Sequence, residues 1–145
     1  MVKEKDPIPD IRKFNRFYTD IIGLLDKHLL HSAYSLAEGR IIFEIYSGKS
    51  VQASQIMTVM NIDKSYLSRL LKKLEKDGLI TRTSSGNDAR AMLISLTEKG
   101  IQEFTMLNKA SDKQISDLIT NLNSTDRQEL VTHMNAIMNI LKKQS

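Results

Sequence analysis

The sequence predicts a mainly α-helical fold with a single small β-hairpin, and three observations lead to this fold class. Apolar side chains recur at helical spacing along most of the 145 residues. One stretch, "LITRTSSGNDARAMLISLT", instead shows two strand-like runs around a polar, turn-rich centre. The amphipathic stretches are long at both ends of the chain and short in the middle. We therefore expect four helices, a hairpin and two further helices, in one domain or one domain with an extension.

The first three helices are predicted from their apolar stripes and their end signals. Residues 10–30 carry a wide apolar stripe at helical spacing. Ser35 followed by Glu38 forms a capping box, so a second helix is expected to begin there and to stop near Gly48. The segment "VQASQIMTVMNI" predicts a third, short helix over residues 52–60.

The fourth helix, residues 63–77, has two chemically different faces. Asp63 suits the N-cap, and Asp77 with Gly78 suits the stop. One face is a stripe of leucines: Leu67, Leu70, Leu71 and Leu74. At about 100° per residue, the opposite face collects hydroxyls and cations, namely Ser65, Arg69, Lys72, Lys73 and Lys76.

The hairpin follows this helix directly, and two long helices close the chain. "SSGND" is the predicted tip of the hairpin, and Thr97 is expected to open a long helical region. "NSTDRQEL" restarts a helix, with Thr125 and Gln128 as a second candidate capping box.

Composition argues against several classes of protein. The absence of cysteine excludes disulfides and thiolate metal sites and suits a cytoplasmic protein. No run of 18 apolar residues is present, so we expect no membrane partner. No Ser/His/Asp grouping has supporting context and no glycine-rich phosphate loop occurs, so we expect no enzyme, no catalytic residue and no cofactor. His28 and His31 have a spacing that suits a metal, but helix-end histidines are common and we expect no metal site.

The positive charge is concentrated in one window. The chain has a net charge of +4, and residues 64–90 carry seven basic and three acidic side chains, so the whole excess lies there. Localised charge of this kind indicates a polyanionic partner. An ordinary solvated helix face is the alternative that charge alone leaves open.

Two short helices joined by about three residues and followed by a hairpin form a winged helix-turn-helix pattern. A helix about 10–12 Å across fits the major groove of B-DNA, about 12 Å wide. Arg69 can then offer a fork to guanine, and Arg90 at the hairpin tip can enter the minor groove, with Asp88 pairing a nearby arginine such as Arg90. The predicted DNA-binding residues are Ser54, Lys64, Ser65, Tyr66, Ser68, Arg69, Lys72, Lys73, Arg82, Asp88 and Arg90.

The phrases "SYLSRLLKKLEKDGLITR" and "DARAMLISLTEKG" resemble the core of the MarR family of winged helix-turn-helix regulators. The family's wing pattern D-x-R-x-x-x-x-x-L-T-x-x-G is matched by Asp88, Arg90, Leu96, Thr97 and Gly100. The resemblance implies a homodimeric regulator, usually a repressor, that reads two half-sites of a pseudo-palindromic operator in double-stranded DNA. It also implies that helix 63–77 is the recognition helix and that Arg90 reaches the minor groove.

The N-terminal phrases "IRKFNRFYTDIIGLLDKHLL" and "YSLAEGRIIFEI" are similar to the regulator half of proteins that join a MarR-like domain to a GNAT acetyltransferase. The alternative function is therefore the non-catalytic regulatory or interaction half of such a fusion. The sequence has no acetyl-CoA loop, so we expect no transferase activity from this chain.

The long apolar stripes at residues 11–29 and 130–141 can complete a monomeric core or be buried between two subunits. With the resemblance, the dimer is favoured, which makes residues 1–34 and 101–145 a helical dimerisation region and residues 35–100 the DNA-binding domain. The resemblance also implies release by a small apolar or phenolic effector. Candidate ligand-binding residues, each of which can equally be core, are Phe14, Tyr18, Tyr34, Phe43 and Tyr46.

Overall fold

The fold is known from a computed structural model, which describes residues 4–29, 33–84 and 92–143, without the side chains of residues 24–29. The described elements are α1 (Ile8–Leu29), α2 (Leu36–Gly48), β1 (Ser50–Val51), α3 (Ala53–Met60), α4 (Lys64–Lys76), β2 (Ile80–Ser84), β3 (Met92–Leu96), α5 (Glu98–Leu118) and α6 (Ser124–Lys142). The chain divides into two compact units, Met1–Ser111 and Asp112–Ser145. The predicted fold class, mainly helical with a small β wing, is confirmed.

The second helix begins and ends at the residues that predicted its ends. The Ser35 hydroxyl oxygen accepts a hydrogen bond from the Glu38 backbone N–H at 3.2 Å and caps the helix. At the other end, a Cβ on Gly48 would overlap the side chain of Val51, so any larger residue there would force Val51 to shift.

A short strand, β1, makes the sheet three-stranded and was not predicted from the sequence. The strand order is β1–β3–β2, and both pairings are antiparallel. Val51 pairs with Ile94, and Ser50 pairs with Ser95, whose hydroxyl oxygen lies 2.7 Å from that of Ser50. A strand of two residues has no periodicity of its own, so only the pairing with β3 defines it.

The turn between α3 and α4 is built by three residues. Asn61 lies in the left-handed region with φ 52°, which asparagine tolerates better than most residues. The Ile62 N–H donates to the Met57 carbonyl at 3.3 Å. Asp63 then caps α4, because its Oδ1 accepts from the Tyr66 N–H at 2.7 Å. The predicted N-cap of the basic helix is therefore confirmed.

The last turn of α4 leads straight into β2. Gly78 has φ 78°, and its N–H donates to the Glu75 carbonyl at 3.0 Å. The next residue, Leu79, donates its N–H to the Leu74 carbonyl at 2.9 Å. This pair of bonds satisfies the free carbonyls of the helix end and buries Leu79 beside Leu74.

The core of the first unit is built by α2, α3, α4 and the sheet. Three leucines of the predicted stripe, Leu67, Leu71 and Leu74, are fully buried, whereas Leu70 is half-buried. Burial of one such side chain contributes about 1.5–3 kcal/mol relative to its exposure. The other fully buried large side chains are Ile41, Ile42, Ile45, Ile56, Leu79 and Ile94.

The start of α5 is fastened to the end of α4 by Thr97 and Gly100. The Thr97 hydroxyl donates to the Gly78 carbonyl at 2.6 Å and accepts from the Gly100 N–H at 3.1 Å. A Cβ on Gly100 would overlap the Leu79 carbonyl oxygen. The Thr-x-x-Gly part of the wing motif is therefore a structural joint that fixes the hairpin to the basic helix.

The helices at the two ends of the chain leave their apolar faces exposed. α1 exposes Ile8, Ile11, Phe14 and Phe17, and α6 contains no buried residue. The exposed apolar side chains of α6 are Leu130, Val131, Met134, Ile137, Met138, Ile140 and Leu141. None of the described helices combines the length and apolarity needed to cross a membrane.

The predicted cap of α6 is wrong. The N-cap is Asn123, whose side-chain oxygen accepts from the Asp126 N–H at 2.8 Å. Thr125, the predicted cap, lies inside the helix. Arg127 explains the shift, because its guanidinium donates to the carbonyls of Leu122 and Ile119 and caps the preceding chain at this corner.

Candidate nucleic-acid interface

The outer face of α4 is exposed and cationic, as the sequence predicted. Lys64, Ser65, Arg69 and Lys72 are exposed, and Ser68 is half-buried beside them. Their Cα positions are fixed from below by the buried leucines of the same helix. The helix therefore presents its cations on a rigid support rather than on a mobile segment.

Tyr66 and Arg69 form a pair on this face. The Arg69 guanidinium carbon lies 5.6 Å from the centroid of the Tyr66 ring, within the range of a cation–π interaction. A guanidinium held over a ring loses less freedom when it binds a base edge, because its orientation is already restricted. Both residues were predicted to contact DNA, and the structure places them side by side.

Lys73 differs from the other cations of α4. Its ammonium group lies 2.9 Å and 3.1 Å from the two carboxylate oxygens of Glu38 on α2. It also lies 5.4 Å from the centroid of the Tyr34 ring. The sequence predicted Lys73 to lie on the outer face and to bind DNA. Its charge is compensated by Glu38 within the chain, and its DNA-binding role stays a prediction.

Arg82 on β2 is also engaged within the chain. Its Nε lies 3.1 Å from the Glu75 Oε2, although this nitrogen is buried and makes no hydrogen bond to the described residues. The contact is therefore an ion pair between β2 and α4 without an aligned hydrogen bond. A DNA-binding role of Arg82 stays a prediction.

The remaining predicted DNA-binding residues are Ser54, Asp88 and Arg90. Ser54 is exposed in the first turn of α3. Asp88 and Arg90 lie outside the described residues, which resume at the first residue of β3. The strands that flank the tip pair from Ile80 with Leu96 to Ser84 with Met92.

Tyr34 joins the start of α2 to the end of α4. Its hydroxyl donates to the Asp77 Oδ2 at 3.1 Å. Burial, with the hydrogen bond to Asp77 second, raises the pKa of Tyr34 to about 12. The phenol therefore stays a neutral donor at physiological pH. This role was not predicted, because the partner residues are 43 positions apart in the sequence.

An apolar cleft of about 680 Å³ lies within the first unit. Of the five candidate ligand-binding residues, Tyr34 and Phe43 line it. Tyr46 instead stacks on Phe104, with ring centroids 4.1 Å apart. Phe14 and Tyr18 stack on each other on α1 at 5.6 Å and are not part of the cleft lining.

The cleft lining is mostly apolar, with a few polar groups at its rim. The lining residues outside the candidate set are Ser35, Leu36, Ala37, Gly39, Arg40, Met60, Phe104, Leu107, Asn108 and Ser111. Pockets of this size and composition suit drug-sized apolar molecules. The Arg40 guanidinium is paired with Glu44 at 2.8 Å, so it does not offer an unpaired charge to a ligand.

Comparisons with known proteins agree with this geometry. The model of the MarR family matches residues 34–92. The HTH-type transcriptional regulator BilQ of Clostridioides difficile (strain CD3) is 27% identical over 109 residues, which are 74% of this chain and 74% of that protein. The transcriptional repressor MprA of Escherichia coli (strain K12) is 28% identical over 90 residues, which are 62% of this chain and 51% of the repressor.

Solved structures share the fold at low identity. Wild-type MarR of Escherichia coli in its apo form superposes with a TM-score of 0.77 at 20% identity, covering 93% of this chain and 98% of that chain. A mutant MarR complexed with operator DNA superposes with a TM-score of 0.75 at 20% identity, covering 92% of this chain and 99% of that chain. Residues 34–92 are therefore similar to the MarR family, and the fold of the chain is that of the solved MarR structures.

Proposed function

We propose that two copies of this chain form a homodimer that binds a pseudo-palindromic operator in double-stranded DNA and represses transcription. The observation that carries the proposal is the exposed cationic face of α4, supported from below by Leu67, Leu71 and Leu74. A helix about 10–12 Å across enters a major groove about 12 Å wide, so this face meets the base edges. α4 is then the recognition helix.

Roles on DNA follow from the chemistry of each side chain. Arg69, held by Tyr66, supplies the planar fork that reads guanine. Lys64 and Lys72 supply point charges for phosphates. Arg90, in the sequence between β2 and β3, is proposed to enter the minor groove, with Asp88 orienting it.

Dimerisation is supported by the exposed apolar faces of α1 and α6. A single chain leaves apolar side chains such as Phe17, Ile140 and Leu141 more than half exposed. A second copy removes this area from water, and a two-fold interface uses the same faces on both copies. The relative BilQ is described as a transcriptional regulator and MprA as a repressor, which supports the regulatory role.

Release by a small effector is supported by the apolar cleft. Tyr34 and Ser35 line the cleft and also contact Asp77 and Glu38, so the cleft wall is bonded directly to residues that hold α4. An apolar or phenolic ligand that displaces this wall would move the recognition helix. The regulatory half of an acetyltransferase fusion remains a second proposal, supported by the N-terminal phrases, and the reading frame after Ser145 tests it.

The test is operator selection from random DNA, followed by affinity measurements over a salt series. Wild-type binding should weaken steeply with salt, because cations of the protein displace counterions from phosphates. Arg69→Gln should weaken operator binding by about 1–3 kcal/mol and relax the preference at one base pair of each half-site. The matched control is Lys109→Gln, an exposed cation of α5 outside the helix-turn-helix, which should change binding by less than about 0.5 kcal/mol.

Two results would contradict the proposal. The first is the absence of any selected sequence, and the second is an equal effect of Arg69→Gln and Lys109→Gln. Arg90→Ala extends the test to the hairpin tip, where a loss of about 1–3 kcal/mol is expected if the side chain reads a groove. Unchanged operator affinity in that variant would remove Arg90 from the interface.

A further inference from the structure

Glu38 is a buried carboxylate in the wall between α2 and α4. It is 6% exposed and is the buried charged residue among those that the structure describes. Its carboxylate accepts two bonds from the Lys73 ammonium, at 2.9 Å and 3.1 Å, and one from the Ser35 hydroxyl at 3.2 Å. Burying an unpaired carboxylate is costly, so a buried Glu38 requires partners of this kind.

Lys73 belongs to the cationic helix but bends toward the protein. Its side chain is 45% exposed, and its ammonium lies against Glu38 and over the Tyr34 ring. Lys72, the preceding residue, is exposed, with no ion pair to another described residue. Two adjacent lysines of one helix therefore differ in whether their charge is available to a phosphate.

A second bond acts in parallel with the Glu38–Lys73 pair. The Tyr34 hydroxyl, one residue before the N-cap Ser35, donates to Asp77 at the end of α4. The start of α2 is thus bonded to α4 at two points about one helical turn apart, Lys73 and Asp77. Two points fix the direction of a helix, whereas one point leaves it free to pivot.

We propose that Glu38 is a positioning residue for DNA recognition: it holds α4 through Lys73 at the angle that fits the groove, and it keeps Lys73 from contacting phosphate. This inference rests on the proposed function. It places a specificity determinant on α2, outside the face of α4 that meets the duplex. Without the pair, the DNA-contacting side chains are intact but misaligned.

The test compares operator and non-operator DNA over a salt series for Glu38→Gln, Lys73→Gln, the double variant and Lys73→Arg. Lys72→Gln is the matched control for a phosphate-binding lysine and should reduce the salt slope by about 0.9 for each phosphate that it no longer neutralises. Lys73→Gln should leave the slope unchanged, whereas Glu38→Gln should not reduce it and should steepen it where the released Lys73 reaches a phosphate. Both variants should lower operator affinity about tenfold without lowering non-operator affinity. The double variant should bind the operator no more weakly than either single variant. Lys73→Arg should retain the wild-type ratio of operator to non-operator affinity.

The outcomes separate this inference from the proposed function. If the wild type binds no DNA, the proposed function fails. If the wild type binds but Lys73→Gln reduces the salt slope as Lys72→Gln does, Lys73 binds phosphate and the inference is wrong. Equal reductions in affinity for operator and non-operator DNA, or additive reductions in the double variant, also overturn it. Should Glu38→Gln fail to fold, the comparison of Lys73→Gln, Lys73→Arg and Lys72→Gln still decides.

Discussion

The basic helix α4 and the terminal helix α6 share the same amphipathic period, but their apolar stripes differ in burial. In α4 the apolar stripe is buried by the chain itself, and Leu74 is 0% exposed. In α6 an equally regular stripe is left open, and Leu141 is 57% exposed. The period of the pattern therefore specifies which face of a helix is apolar. What packs against that face, the same chain or a second copy, depends on the rest of the fold.

The first way to sharpen this comparison is to remove a buried leucine of α4. Leu74→Ala should lower the free energy of unfolding by about 2–5 kcal/mol, because the cavity adds to the lost burial. Chemical denaturation measures the change. Val59→Ala, at an exposed position of α3, is the control and should stay within about 0.5 kcal/mol. Equal effects would mean that the leucine stripe does not support α4.

The second prediction concerns the open stripe of α6. Ile137→Glu should weaken the proposed dimer by about 2 kcal/mol or more, because each subunit would bury an unpaired charge. Sedimentation equilibrium measures the dissociation constant. Asn139→Glu, on the other side of the helix, adds the same charge and should leave the dimer intact. A dimer that survives Ile137→Glu would exclude this face from the interface.

The third prediction tests the joint between α4 and α5. Gly100→Ala should destabilise the fold by about 1–3 kcal/mol, because the added Cβ overlaps the Leu79 carbonyl oxygen. Gly39→Ala is the control, because an added Cβ there would meet no atom within 4 Å apart from its chain neighbours and its own helix backbone. Alanine should stabilise α2 by up to about 1 kcal/mol. Thermal unfolding of the two variants should shift in opposite directions, and a parallel shift would contradict the account.

The smallest effect is expected at the cap of α6. Asn123→Ala should lower the free energy of unfolding by about 1 kcal/mol, because the Asp126 N–H loses its acceptor. Thr125→Ala, at the position that the sequence pattern favoured, should cost less. Chemical denaturation of both variants decides between the observed and the predicted cap. A larger destabilisation by Thr125→Ala would indicate that Thr125 is the N-cap.

Local signals were enough to predict most of the fold. Ser35 and Asp63 cap their helices as predicted, because a cap depends on residues three positions apart. The stop at Asp77 and Gly78 is confirmed for the same reason. The exposed face of α4, including Arg69 and Lys72, was also predictable, since it lies opposite the leucine stripe.

Interactions between distant residues account for what the sequence did not reveal. β1 depends on pairing with β3, more than 40 residues later, and two residues carry no periodic signal. Lys73 has the same local pattern as Lys72, and only the arrival of Glu38 from 35 residues away distinguishes them. At α6 two capping patterns overlap, and the bonds of Arg127 to the preceding turn favour Asn123.

The most direct test of the central claim is a hydroxyl-radical footprint of the wild-type protein on its selected operator. If two winged units joined by their end helices read DNA with α4, two inverted half-sites should be protected, with centres about one helical turn, or about 10 base pairs, apart, or a multiple of it. A single protected half-site, or uniform protection without a preferred sequence, would contradict the account.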